Sequence, residues 1–191
     1  MALELQGITR ASNCNCEECI GGIVEFCVTD FCLLEDIPID AEGCISGLPV
    51  LDAGGTWGCY EHDADDTANY TQTVEIIGTR TKRINHSMFA KFACLDKSVI
   101  LEANRLKKCC NPVVAIKWAN GLQMLLGVDI IENSDGTFRW EKSVGQTNLL
   151  PSIISGTTAE EDRLELTIES TSRCFAGVFT DGIDLSNLPQ L

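Results

Sequence analysis

Apolar and polar positions alternate along much of the chain, and the pattern predicts strands before helices. Leu164-Glu-Leu-Thr-Ile-Glu169 is the clearest run: Leu164, Leu166 and Ile168 share one face and Glu165, Thr167 and Glu169 the other. One face belongs to a core and the other to water or a lumen. Ile23 to Val28 is β-branched and aromatic and follows Gly21-Gly22, Thr71 to Gly78 alternates, and Met88 to Ala93 is short and apolar; each predicts a strand. Val113 to Ala119 and Leu122 to Ile131 are two β-rich runs around Asn120-Gly121, a pair suited to the positive φ angles of a hairpin turn. Asp135-Gly136 turns the chain again into Thr137 to Trp140, which completes an antiparallel meander.

One segment departs from this period. Val99, Ala103, Leu106 and Cys110 fall at steps of four, three and four, which predicts an amphipathic helix from Asp96 to Cys110. Asp96 or Ser98 can accept backbone N–H bonds at its start, Lys107 and Lys108 complement its negative end, and Asn111-Pro112 cannot continue it. Asp36 to Asp66, with Pro38, Pro49 and Gly54-Gly55, reads as a strand or two within long loops. The expected fold class is mainly β: an antiparallel sandwich or open barrel with one flanking helix, in a single domain over 1–191.

The chain's 191 residues suffice to bury about 70% of the surface exposed on unfolding, so neither metal nor disulfide is required for a core. Its 28 acidic residues against 14 basic ones give a formal charge of −14, which argues against unaided binding to nucleic acid or anionic lipid. The start carries no basic flank or apolar run of a secretory signal, and Val113 to Ile131 is interrupted by Lys117, Asn120, Gln123 and Asp129, too often for a membrane span. The expectation is folding in a cytosol with the 11 cysteines reduced, most of them, including Cys27, as small core hydrophobes.

Candidate chemistry is sparse. Cys14, Cys16 and Cys19, with Cys27 or Cys32 as a fourth ligand, match a zinc knuckle in residue type but lack a second Cys-x-x-Cys arm, and free thiols are the preferred reading. No cofactor is expected. His62 and His86 have no partner at catalytic spacing, no Gly-x-Ser-x-Gly occurs, and Gly54-Gly55 lacks the rest of a phosphate loop, so an enzyme ranks last. Asp63, Asp65 and Asp66 lack the glycine and distal glutamate of a calcium loop and read as a solvated acidic stretch. Arg80-Thr-Lys-Arg83 is the compact basic run, and on so acidic a chain it is either an ordinary exposed turn or a patch that docks an acidic protein surface, including that of another copy.

The order of several segments resembles a family of virion proteins of tailed phages and prophages of Bacteroidetes-type hosts, read as tail tube or tail ring subunits. The segments are Gly21 to Val28, Tyr70 to Ile76, the helix running into Pro112 to Lys117, Leu125-Leu-Gly127, and Gly156 to Ser170 with its Gly-Thr loop, aspartate and alternating strand. The resemblance implies a β-sandwich or barrel subunit that forms rings, commonly sixfold, stacked into a tube through which the genome passes. It implies partners in other copies of itself and in other tail or connector proteins, no membrane, assembly in the bacterial cytoplasm and residence in the virion. Some of Glu165, Thr167, Glu169 and the aspartates of the meander would face an acidic lumen that DNA does not stick to, while Arg80, Lys82, Arg83 and the 36–66 loop would make subunit and ring contacts. The cysteine-rich start and Cys109-Cys110 depart from the family pattern. Alternatives are a head-tail connector or completion ring, the tube of a contractile injection system, and a zinc-stabilised acidic binding module.

Overall fold

The computed structural model describes residues 22–61, 68–77, 81–93, 97–109, 111–145, 147–154 and 163–190. Its strands are β1 (Ile23–Asp30), β2 (Leu34–Asp36), β3 (Val50–Leu51), β4 (Gly58–Glu61), β5 (Ala68–Ile77), β6 (Thr81–Ala93), β7 (Pro112–Trp118), β8 (Gln123–Leu126), β9 (Val128–Glu132), β10 (Phe138–Lys142), β11 (Asn148–Ile154), β12 (Arg163–Ser172) and β13 (Gly177–Val178), with one helix, α1 (Lys97–Leu106). A five-stranded sheet runs β13-β8-β7-β1-β4 and a four-stranded sheet β11-β12-β6-β5, both antiparallel and neither closed into a barrel. Phe26, Val114 and Ile116 from the first sheet pack with Met88, Ala90, Leu166 and Ile168 from the second. The fold is a mainly β antiparallel sandwich with a flanking helix, as the alternation predicts.

The five-stranded sheet is covered on both faces. On its far side Cys27, Val113, Ala115 and Leu125 meet Ile37, Ile45 and Trp57 from the 36–66 segment and Phe179, Leu185 and Leu188 from near the C-terminus. Each of the larger side chains there contributes roughly 1.5–3 kcal/mol by leaving water. The described part of this segment, residues 36–61, is thus largely the cover of a second core, and it carries the short strands β3 and β4 within its loops.

Three expectations change. The run from Leu122 to Ile131 is two strands: β8 stays in the five-stranded sheet, whereas β9 leaves it to pair with β10. Gly127 makes the break, at φ +90°, where a Cβ would lie 2.7 Å from the Pro112 carbonyl oxygen. The helix ends at Leu106 rather than Cys110, with Lys107 and Lys108 already in a turn, while Asp96 and Cys110 lie outside the described residues. β11, which the alternation does not predict, contains Pro151; the missing N–H is tolerated because β11 is an edge strand.

Candidate assembly surface

The four-stranded sheet turns one face to the core and the other away from it. Register places Asn148, Leu150, Ser152 and Ile154 of β11, Arg163, Glu165, Thr167, Glu169 and Thr171 of β12, Arg83, Asn85, Ser87, Phe89 and Lys91 of β6, and Asn69, Thr71, Thr73, Glu75 and Ile77 of β5 on the outward face, which is mostly polar. Glu165 and Glu169 therefore do share a face, and that face is directed away from the core. Its charge is balanced rather than acidic. Arg163 donates to Glu165 at 2.7 Å, Lys91 stands opposite Glu165, and Arg83 stands opposite Glu75. Each described cation on this face thus has a carboxylate neighbour, and Glu169 is exposed.

Both edges of this sheet are unpaired among the described residues, and both expose apolar side chains: Val74 and Ile76 on β5, Leu150 and Ile153 on β11. β12 pairs β6 only as far as Ile84, so Thr81–Arg83 and their partners Glu75–Ile77 continue as a two-stranded arm. Ile76, opposite Lys82, is 70% exposed. A two-stranded ribbon by itself is marginally stable in water, and a long edge is a template for another strand. Lys82 and Arg83 sit exposed on the arm, whereas Arg80 lies outside the described residues. Sequence reading located the basic run but not the β11 edge, because Pro151 and Ser152 break the alternation that would have marked it.

The cysteine expectation is overturned at one place. Cys27 and Cys59 form a disulfide across β1 and β4, where they are direct partners with Cα atoms 4.0 Å apart. Strand register, which spacing in the sequence does not show, brings them together. As a disulfide Cys27 is no zinc-knuckle ligand; Cys14, Cys16 and Cys19 lie outside the described residues. So do His62, Asp63, Asp65 and Asp66.

His86, 3% exposed, is tied into the core. Gln72 Nε2 donates to the Tyr70 hydroxyl, which lies 2.8 Å from His86 Nδ1; His86 Nε2 meets Ser172 Oγ, and Ser172 donates to the Cys174 carbonyl. With the Ser172 proton committed to Cys174, the directions assign the proton to Nε2 and leave Nδ1 to accept from Tyr70. Ser172 is thus a donor to backbone rather than a hydroxyl aimed at an imidazole base. Burial pushes the His86 pKa from 6.5 down to about 4. The unfolded chain then binds the extra proton first, so the stabilisation is complete above pH 6.5 and is lost as pH falls towards 4. Urea denaturation at pH 7 and 4.5 is expected to show a loss on the order of 2–3 kcal/mol that His86→Gln largely removes.

No described helix is long and apolar enough to cross a membrane. No family model matches the chain, and no curated protein or solved structure matches it. The class defined by the geometry is an antiparallel β-sandwich with one polar sheet face and two open, partly apolar edges.

Proposed function

We propose that the protein is a non-catalytic structural subunit of a phage tail tube, assembling head to tail through the edges of its four-stranded sheet into rings that stack in the virion and pass the genome. The observation that carries this reading is the pair of open edges on a sheet with a polar outward face. In an antiparallel sheet of four strands the two edge strands run in opposite directions. Copies related by rotation therefore offer β5 of one to β11 of the next in antiparallel orientation, a heterologous contact that closes into a ring. Six such sheets, at roughly 4.8 Å per strand and a tilt of roughly 40°, enclose a backbone circle roughly 48 Å across, with room for side chains and duplex DNA.

The outward face then lines the channel. Its Ser, Thr and Asn side chains, with each described cation set beside a carboxylate, offer phosphates little to hold, so passage rests on matched charge rather than on an acidic wall. Lys82, on the other face of the arm from Arg83, directs it towards the acidic body of the neighbour within the basic run that begins in the sequence at Arg80.

Negative-stain electron microscopy across a concentration series tests the reading. Stacked rings with a central channel are expected. Single rings that never stack would instead favour a connector or completion protein, and monomers at every concentration would count against self-assembly.

A further inference from the structure

Beside the disulfide lies a block of four donor residues that edge-to-edge assembly does not use. Glu25 and Cys27 stand two apart on β1, and in register opposite them on β4 stand Glu61 and Cys59. Glu25 and Cys27 are buried, at 8% and 0% exposure. Two carboxylates directly opposite each other in an antiparallel pair repel, and Lys117 Nζ, 3.7 Å from Glu25 Oε2, answers only one of them. Glu25 Oε1 lies 3.8 Å from Cys27 Sγ, and the donor atoms of Glu25, Cys27 and Cys59 all lie within 4.8 Å of one another. Ligands at zinc bond lengths of roughly 2.0–2.3 Å are about 3.5–3.8 Å apart in a tetrahedron, so the Glu25–Cys27 separation already fits, and the sulfurs need only part once their bond is broken.

We propose that the reduced chain binds one Zn(II) ion here, with Cys27, Cys59 and Glu25 as ligands and the fourth position filled by Glu61 or water. The charges support it. In the disulfide form Lys117 offers a single ammonium against Glu25, Glu61 and Asp184, and a divalent cation bound by two thiolates and Glu25 adds one further negative charge at most, so the bound ion offsets most of the charge it brings together. Cys59 also lines a cleft of about 400 Å³ between β4 and α1. Loading requires a reductant. A phosphine breaks the sulfur–sulfur bond with two electrons and takes an oxygen atom from water to become its oxide; the two protons of that water give two thiols, and zinc releases them to solvent as it binds both thiolates.

The test uses the full chain carrying Cys14→Ser, Cys16→Ser and Cys19→Ser, so that the N-terminal thiols contribute nothing. Calorimetric titration of the phosphine-reduced protein with zinc should give one ion per chain at this site, and cobalt in its place should show thiolate-to-metal absorption. The oxidised protein should show no such site. Glu25→Gln should weaken zinc at least about tenfold, while leaving the fold intact as judged by circular dichroism. Absence of stoichiometric uptake by the reduced chain, uptake equal in the oxidised chain, or an affinity unmoved by Glu25→Gln would each overturn the assignment. The oxidised chain is the folded, metal-free control, so a Cys27→Ser variant that fails to fold does not decide the matter.

Discussion

Ile76→Asp on β5 and Leu150→Asp on β11 should each leave a folded monomer at concentrations where the parent chain forms rings. The two side chains are 70% and 52% exposed, so a charge there disturbs little of the subunit's own packing. In a subunit contact each would lie beside the neighbour's newly paired strand, where a carboxylate in place of an apolar side chain should weaken association by about tenfold or more. A heterologous contact makes a sharper demand. The Ile76→Asp chain keeps a sound β11 edge and the Leu150→Asp chain a sound β5 edge, so mixing them should give dimers that grow no further. Sedimentation velocity on each variant and on the mixture reads this directly. Assembly by either variant alone, or a mixture that stays monomeric, would rule out edge-to-edge pairing as the basis of the ring. Reversing the arm with Lys82→Glu and Arg83→Glu should act in the same direction, with an effect that shrinks as salt is raised.

Reducing the Cys27–Cys59 bond should cost about 3–4 kcal/mol of stability, the loop-closure value for a sequence separation of 32. β4 is a four-residue edge strand that pairs along one side with β1, and Trp57 just before it is held by a hydrogen bond to the Pro189 carbonyl. Without the crosslink the strand loses its one covalent tie to the sheet. Urea titrations with and without reductant should show the midpoint fall, and Cys59→Ser should reproduce the fall in the absence of reductant. An unchanged midpoint would mean that the bond constrains nothing that pairing does not already hold. Zinc added to the reduced parent, but not to Cys59→Ser, should recover part of the loss if the donor block binds metal.

The strands that the sequence foretells are those with distinct environments on their two faces. β12 is the plainest: Leu164, Leu166 and Ile168 are buried and Glu165, Thr167 and Glu169 point away, so covering one face writes the period of two into the residues. β7 lies between two cores, with Val114 and Ile116 in one and Val113 and Ala115 in the other, and a run apolar at every position is what double cover requires. The first half of β6 carries no such alternation. Arg83, Asn85 and His86 give it polar side chains on both faces, and the strand continues because β5 pairs with it throughout and because His86 finds buried partners in Tyr70 and Ser172. β11 escaped because an edge strand tolerates a proline and needs no strict alternation.

The functional surface divides in the same way. Composition and alternation by themselves determined a mainly β chain, the carboxylate-bearing face of β12 and the basic run at residues 80–83, because each is a property of neighbouring residues. Tertiary structure alone decided that β5 and β11 are the open edges of one sheet, that Arg163 pairs with Glu165 on its outward face with Lys91 in register opposite, and that Cys27 meets Cys59 beside Glu25. Those relations join residues far apart in the chain, and strand order and register, which bring them together, are set by how the two cores close rather than by any local pattern.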